Sequence, residues 1–336
     1  MKRSAATVAV VTLAMAAVAA LTGLDLVEGP GGAGQAGPSV GESGSAAPEP
    51  VPATAKPAAF AGLKVLLLGD SLAAGEGGRS YLNGTDQPHQ RCHRSAAGWF
   101  AGTAADVTNL GCSRATTWHL TSAQMDPAYN ARPEAAQLEA ASGENPDITL
   151  VMVGGNDIRF AEIFNECVLS EQDCTANPEF TVQALRAAEA LPRTLTGAYR
   201  TVAAGTGNGA VLVPAYPQLF TGTAADCGRI SPAEAAFATE LTGTLNRSIR
   251  TAAEQAAAGG AAVQFVPDTE HALSGHGACD PDPYVHTVLP TALIDAAQEE
   301  SAAQELLHPT SAGYSKLTEA LAQWLASNVS VIPPAP

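Results

Sequence analysis

Short runs of apolar residues alternate along the chain with longer Ala-rich stretches. The runs are continuous rather than alternating, a pattern typical of strands that are buried on both faces of a sheet. They predict four strands and a weaker fifth, at Lys64–Leu68, Ile148–Val153, Ala210–Val213 and Ala261–Val266, with Asp106–Leu110 as the weaker one.

Three of the Ala-rich stretches predict helices, at Phe180–Leu191, Ala233–Ala258 and Ser311–Ser327. In the last, one helical face carries Tyr314, Leu317, Leu321, Trp324 and Leu325. Strands that alternate with helices indicate a parallel sheet with helices on both sides. Functional residues in such open sheets lie just past the carboxyl ends of the strands.

The N-terminus has the pattern of an export signal. Lys2 and Arg3 precede an almost uncharged apolar stretch at 4–24, and we assign 1–26 to a signal peptide. An uncleaved membrane anchor is the alternative, because the apolar run approaches the length of a membrane span. The acidic Asp25 after the run favours cleavage, so we expect a secreted protein without a stable membrane anchor.

The next segment, 27–58, is rich in Gly, Pro, Ala and Ser. It has too few large apolar side chains to offset its ordering entropy, so we predict a disordered linker. A single catalytic domain is then expected over 59–330, followed by a tail at 331–336.

The net charge of the chain limits the classes of molecule that it can be expected to bind. The formal net charge is −16, and the chain has no run of basic residues. Nucleic acid and anionic lipid are therefore poor partners. Hydrophobic residues make up 46% of the chain, which is enough for a packed core. We expect a monomer that acts on a small-molecule or lipid substrate.

Six cysteines agree with export, because an even number in an exported chain suggests three disulfides. Fifteen pairings are possible. We expect sequential pairing, namely Cys92–Cys112, Cys167–Cys174 and Cys227–Cys279. A zinc site is the rival interpretation, which the absence of a C-x-x-C pair disfavours.

Chemically useful residues follow three of the predicted strands and precede the last helix. The blocks are Gly69-Asp70-Ser71-Leu72, Gly111-Cys112-Ser113-Arg114, Gly154-Gly155-Asn156-Asp157 and Glu305-Leu306-Leu307-His308-Pro309. Ser supplies a nucleophile, His a base to activate it, and Asn and backbone N–H groups an oxyanion hole. Together they are the parts of an acyl-transfer site.

In this order, the four blocks resemble the GDSL or SGNH hydrolase family, and most closely its secreted, disulfide-bonded bacterial esterases and lipases. The resemblance extends over about 62–327. The first block continues as Ala73-Ala74-Gly75-Glu76-Gly77, and Gly275-His276-Gly277-Ala278-Cys279 resembles the GH-x-x-C loop of the same subgroup.

This resemblance implies an α/β fold, a flavodoxin-like three-layer α/β/α sandwich with a five-stranded parallel sheet, and ester hydrolysis without a metal or other cofactor. Ser71 would be the nucleophile and His308 the general base. The Ser71 N–H and the Asn156 amide would hold the oxyanion, and His276 would belong to a substrate loop.

Two positions depart from the family pattern. The third oxyanion donor is usually the backbone N–H of a Gly, where this chain has Arg114. That N–H can serve if the backbone geometry permits, with Gly111 as the fallback. The family usually has Asp three residues before the catalytic His, where this chain has Glu305. We expect Glu305 to orient His308, with a backbone carbonyl such as that of Leu306 as the alternative.

Some candidates have structural interpretations. Asp70 is expected to cap the helix that follows it. A cluster could suggest a metal site, but its spacing matches no zinc motif; its members are His271, His276, Asp280, Asp282 and His286. Trp99, Trp118 and Trp324 are expected in the core or in a pocket wall.

A secreted carboxylic ester hydrolase of the esterase or lipase type is the favoured function. A polysaccharide O-deacetylase on the same fold and a non-catalytic cell-wall or glycan binder are the alternatives. A binder would be expected to lose Ser71, Asn156 or His308, and all three are present. No G-x-S-x-G elbow occurs, which disfavours an α/β-hydrolase lipase.

Overall fold

The computed structural model describes residues 58–328, apart from 88–89, 127–129, 222–226, 229, 290–291 and 293–299. The predicted signal peptide, the tail and the linker up to residue 57 lie outside the described residues. Those assignments and the predicted domain boundaries therefore stay predictions.

The described residues contain seven strands, numbered in chain order: β1 Lys64–Gly69, β2 Asp106–Asn109, β3 Gln124–Asp126, β4 Asn130–Glu134, β5 Ile148–Met152, β6 Ala210–Pro214 and β7 Val263–Val266. β3 and β4 form a separate antiparallel hairpin, which the apolar pattern did not predict. The other five are the predicted strands, and their ends agree within two residues.

These five strands form a parallel sheet in the order β2-β1-β5-β6-β7. Every residue of β5 and β6 is buried, which explains their continuous apolar sequences. The chain leaves β1 toward β2 on one side and later returns to β5 on the other. The strand order therefore reverses between β1 and β5, where open α/β sheets bind their ligands.

Eight helices of the α type occur in the described residues: α1 Ser71–Ala74, α2 Gln137–Ala140, α3 Phe160–Phe164, α4 Pro178–Glu189, α5 Pro192–Gly205, α6 Pro232–Ala258, α7 Glu300–Glu305 and α8 Ser311–Ser327. A π-helical turn at Asn165–Leu169 follows α3. With the sheet between its helices, the fold is the expected α/β/α sandwich.

The helix ends follow local sequence signals. Ser231 and Glu234 form a capping box at the start of α6, with Pro232 at its first position. Pro192 likewise begins α5, a helix that we did not predict. α8 has the predicted bounds, and its apolar face is buried at Tyr314, Leu317 and Leu321.

Three disulfides join Cys92 to Cys112, Cys167 to Cys174 and Cys227 to Cys279, which is the sequential pairing. The first links the segment after α1 to the segment after β2, so it ties together two loops at the same edge of the sheet. Across the part of the chain that the structure describes, no helix is both long and apolar enough to cross a membrane.

Candidate active site

The first block turns sharply where β1 ends. Gly69 has a φ of 127°, and a Cβ there would lie 1.8 Å from the carbonyl oxygen of Met152 on β5, so no larger residue fits. The Asp70 carboxylate then accepts a hydrogen bond from Leu72 N at 3.0 Å, which is the expected cap of α1. Ser71 is thereby the first residue of α1, at the carboxyl edge of the sheet.

Asp70 also joins the first block to the third. The Tyr216 hydroxyl donates to the other oxygen of the Asp70 carboxylate and accepts from Gly155 N at 3.3 Å. Burial raises the pKa of Asp70 to about 7, while the bond from Tyr216 acts in the opposite direction. This buried contact fixes Ser71 relative to the loop that carries Asn156.

His308 lies against Ser71. Its Nε2 is 2.8 Å from the Ser71 hydroxyl, and its Nδ1 is 3.2 Å from the carbonyl oxygen of Leu306. With the proton on Nδ1, the imidazole donates to that carbonyl and accepts from Ser71. This is the arrangement in which a histidine activates a hydroxyl nucleophile.

Glu305 does not have the expected contact with His308. Its buried carboxylate accepts hydrogen bonds from the Tyr81 hydroxyl at 2.8 Å and from Arg79 Nε at 3.2 Å. The Leu306 carbonyl, our alternative, is the group beside Nδ1. Glu305 instead connects the histidine loop to the segment after α1.

His286 supports the same loop through its backbone and its ring. Its N–H donates to the carbonyl of His308 and its carbonyl accepts from Leu307 N, at 2.9 and 3.0 Å. Its ring Nε2 donates to the carbonyl of Gly77 at 2.8 Å. Burial lowers the pKa of His286, so the ring stays neutral near pH 7. Sequence reasoning considered His286 only as part of a metal cluster.

Glu76 is a second buried carboxylate beside the histidine, with 1% of its surface exposed. Its carboxylate accepts from His93 Nδ1 at 3.0 Å and from the Ser113 hydroxyl, and it lies 4.0 Å from Nε2 of His308. Glu76 belongs to the first block of the sequence, but no sequence pattern predicted that its carboxylate would lie near Nε2 of His308.

Asn156 follows β5, as the third block predicted. Its side-chain amide donates one hydrogen bond to the Ala115 carbonyl at 3.0 Å, and the amide has a second proton to donate. The neighbouring Asp157 accepts from the N–H and hydroxyl of Thr117 at 3.1 and 2.6 Å. These contacts hold the loop after β5 to the loop after β2.

Arg114 has a φ of 67°, in the left-handed region that favours glycine. This geometry accounts for the glycine that the family usually has at this position. The fallback donor, Gly111 N, donates to Asn109 Oδ1 at 3.1 Å. The Gly111 N–H therefore already has an acceptor, and the assignment of the third oxyanion donor stays a prediction.

Two cavities meet at Asn156 and Phe160, and the first of them contains the Ser71–His308 pair. The first, of about 120 Å³, contains Ser71, His308 and a mainly apolar wall that includes Leu72, Ile158, Phe160, Ile163, Phe164, Val168, Phe220, Phe237 and Leu241. The second, of about 330 Å³, is more polar and is lined by Arg114, Thr116, His119, Gln124, Met125, Asn156, Arg159, Phe160, Ala161 and Glu162.

His276 lies away from these cavities in the described residues. Its ring stacks on Tyr284, with centroids 3.8 Å apart, and its Nδ1 lies 2.8 Å from the carbonyl of Asp282. Its loop nevertheless reaches the pocket wall, because Ala278 N donates to the carbonyl of Leu219. The role of His276 in a substrate loop stays a prediction.

Two other members of the sequence cluster around His276 have separate partners. The Asp280 carboxylate accepts from Gly277 N at 2.7 Å and from the Thr221 hydroxyl at 2.5 Å. His286 donates to Gly77, as described above. Asp282 lies beside His276, with its carboxylate 3.5 Å from Nδ1 of that ring.

One of the three tryptophans was misplaced by the sequence prediction. Trp99 and Trp324 are buried, as expected. Trp118 is 68% exposed, because it projects from the short 3₁₀ turn Thr117–Leu120. It is therefore a surface residue and not part of the core.

The fold, the serine at the switch point and the histidine beside it define an ester hydrolase of the SGNH type. The chain belongs to the GDSL-like Lipase/Acylhydrolase family, whose pattern matches residues 67–316. It is therefore a carboxylic ester hydrolase.

The chain is similar to several proteins from Streptomyces. "Lipase 1" of Streptomyces coelicolor is 28% identical over 240 residues, which are 70% of this chain and 79% of that protein. The crystal structure of phospholipase A1 from Streptomyces albidoflavus is 26% identical with a TM-score of 0.57, covering 79% of this chain and 98% of that one. An extracellular lipase from Streptomyces rimosus shares the fold, with 22% identity, a TM-score of 0.58 and coverage of 79% and 99%.

Proposed function

We propose that this chain hydrolyses lipid esters through an acyl-enzyme on Ser71. The hydroxyl oxygen attacks the ester carbonyl carbon while His308 Nε2 accepts the hydroxyl proton. The observation that carries the proposal is the 2.8 Å contact between these two atoms beside an apolar pocket. The Leu306 carbonyl keeps the proton on Nδ1, so that Nε2 is the acceptor.

Attack places negative charge on the former carbonyl oxygen. We assign its stabilisation to the N–H of Ser71, the side-chain amide of Asn156 and the N–H of Arg114. Ser71 begins α1, so its N–H has no acceptor within the helix. Donors that are already fixed in position stabilise such charge without reorganising during the reaction.

Collapse of the tetrahedral intermediate reverses the role of His308. The imidazolium gives its proton to the leaving alkoxide oxygen as the C–O bond breaks, so the alcohol departs and the acyl-enzyme remains. In the second half of the reaction, His308 takes a proton from water while the water oxygen attacks the acyl carbon. It then gives that proton to the Ser71 oxygen as the bond to the acyl carbon breaks, which releases the acid and free Ser71.

The apolar cavity supports an acyl group longer than acetyl. Its wall comes from α3, the π-helical turn and α6, and large side chains such as Phe160, Phe164 and Phe237 line it. Apolar surface of this kind is expected to favour fatty acyl chains. The names of the lipase and phospholipase A1 relatives agree with this substrate class.

The polar cavity is assigned to the alcohol side of the substrate. Two arginines, Arg114 and Arg159, line it together with Glu162, which pairs with Arg159. They suit a leaving group with polar or anionic substituents, such as a glycerophospholipid headgroup. A polysaccharide O-deacetylase is the alternative, and the size of the apolar wall argues against it.

A panel of nitrophenyl esters from acetate to palmitate, measured beside phosphatidylcholine and acetylated xylan, tests this proposal. We expect kcat/KM to rise from acetate toward medium or long acyl chains. Acetate release from xylan together with a preference for acetate would establish the deacetylase instead.

We also propose that the protein is secreted as a monomer. The three disulfides and the N-terminal apolar stretch support export, since disulfides persist in oxidising compartments. Mass spectrometry of the protein from culture medium, with light scattering for its mass, would check both points.

A further inference from the structure

The histidine of this site lacks the partner that usually supplies negative charge. Nδ1 of His308 faces the Leu306 carbonyl, which is a dipole and not a charge. The nearby Glu305 is bonded to Tyr81 and to the cationic Arg79. An imidazolium formed during catalysis therefore needs stabilisation from elsewhere.

A carboxylate lies on the opposite side of the ring. Glu76 Oε2 is 4.0 Å from Nε2 of His308, beyond hydrogen-bond distance but close enough for a strong Coulomb interaction. Glu76 is nine-tenths or more buried, so water screens its charge weakly. Its neighbours fix it in place, because the Ser113 hydroxyl and His93 Nδ1 both bond to it.

With both carboxylates ionised, the cluster of Glu76, His93 and Asp86 has a net negative charge whether His93 is neutral or protonated. The second ring nitrogen of His93 lies 3.3 Å from Asp86, so the imidazole sits between two carboxylates. A protonated His93 would be shared by both, and a neutral one would leave Glu76 with its full charge. The local sum is negative in either case.

We infer that Glu76 is a positioning residue that stabilises the His308 imidazolium through space, in place of the acid that usually bonds to Nδ1. The inference rests on the proposed roles of Ser71 and His308. The inference also accounts for the contacts of Glu305 with Tyr81 and Arg79. Glu305 is not needed at the imidazole, because Glu76 already places a negative charge 4.0 Å from Nε2.

Glu76→Gln is the decisive variant, because Gln can accept from His93 and donate to the Ser113 oxygen in the same shape. Loss of the charge makes the imidazolium less stable in the transition state. We expect kcat to fall by about 10- to 1,000-fold at the pH optimum. A neutral His308 would also persist to lower pH, so the acid limb of the kcat/KM profile should move down by about 1–2 pH units.

Other titratable groups near the histidine loop keep their side chains in this comparison. They are Glu305 and His286 of that loop and its partner segment, Arg79 of the segment after α1, and Asp70 beside Ser71. The difference between wild type and the variant therefore reports the charge of Glu76 together with its effect on His93 and Asp86, which form one cluster with it.

Ser113→Ala is the matched control, since it removes a hydrogen bond to Glu76 but keeps the charge. We expect kcat to fall by a few-fold at most and the acid limb of the kcat/KM profile to stay in place.

Glu76→Asp keeps the charge but moves it farther from His308, and it replaces Glu76→Gln if that variant does not fold. The acid limb of Glu76→Asp should lie between that of wild type and the position expected for Glu76→Gln. An unmoved limb in a folded Glu76→Gln or Glu76→Asp protein would overturn the inference.

Labelling with a serine-directed phosphonate separates this result from the proposed function. If Ser71 labels in wild type and in Glu76→Gln but the acid limb does not move, only the role of Glu76 fails. If Ser71 does not label in wild type, the proposed mechanism fails, and the role of Glu76 fails with it.

Discussion

The nucleophile and its base are held in different ways. Ser71 follows directly from a central strand, and the preceding Gly69 is fixed by close packing on β5 and by two hydrogen bonds with the Gln137 side chain. His308 lies between α7 and α8, on a loop that bonds to the His286 backbone. One group is positioned by the sheet, the other by contacts between loops.

This difference indicates where substitutions can be made without unfolding the protein. Movement of β1 would disturb the core as well as Ser71, so nucleophile geometry is coupled to stability. The histidine loop includes Leu307 at a φ of 60° and depends on side chains such as Glu305 and Tyr81 from distant segments. Changes there can alter catalysis without unfolding the protein. The following predictions test the contrast.

The largest effect is expected at the nucleophile. Ser71→Ala removes the attacking oxygen, and the loss in kcat should be about 10⁶-fold, the size found when a protease loses its nucleophile. A serine-directed phosphonate should label wild type at Ser71, as read by peptide mass spectrometry, and leave the variant unlabelled. Full turnover in a folded Ser71→Ala protein would refute the mechanism.

Asn156→Ala should have the next largest effect. The amide donates most strongly when charge develops on the carbonyl oxygen, so kcat should fall by about 10²–10³-fold with little change in KM. Steady-state kinetics on a soluble ester would measure both constants. An increase in KM alone would mean that Asn156 binds the substrate and transition state equally.

Gly69→Ala tests the sheet-based half of the comparison. The new Cβ would overlap the Met152 carbonyl, and the positive φ adds strain, so unfolding should become easier by about 3 kcal/mol or more. Gly143→Ala is the control: its φ is 90°, but nothing lies within 4 Å of the added Cβ, and about 1 kcal/mol is expected. Equal losses in denaturant unfolding would contradict this account of the β1 end.

Glu305→Gln tests the loop-based half and should have the smallest effect. Gln can still accept from Tyr81, and the Leu306 carbonyl remains beside His308 Nδ1. We expect kcat to fall only a few-fold, with the free energy of unfolding changed by about 1 kcal/mol or less. A loss near 10⁴-fold, as for a triad acid, would show that Glu305 orients His308 after all.

Sequence patterns predicted the sheet well because each buried strand is a continuous apolar run. The same patterns located Ser71 and Asn156, since both follow such strands. The antiparallel hairpin β3–β4 escaped prediction because its residues include Gln124, Asp126 and Glu134 rather than an apolar run. α5 was missed although Pro192, a typical first residue of a helix, marks its start.

The partner of His308 Nδ1 could not be predicted from residue types. Spacing suggested Glu305, but the backbone turns at Leu307 and brings the Leu306 carbonyl to the ring. The position of Glu76 depends on how the segment after α1 packs near His308. Its carboxylate is held there by His93 and Ser113, which lie on other loops. Long-range contacts of this kind leave no periodic signal in the sequence.

Part of the wall of the apolar cavity belongs to elements that carry no catalytic group. Ile163 and Val168 come from α3 and the π-helical turn, and Leu241 comes from α6, whereas Ser71 begins α1, Asn156 follows β5 and His308 precedes α8. Laboratory evolution toward another acyl chain length can thus act on that part of the wall. There, the choice of substrate can be adjusted separately from the reaction chemistry.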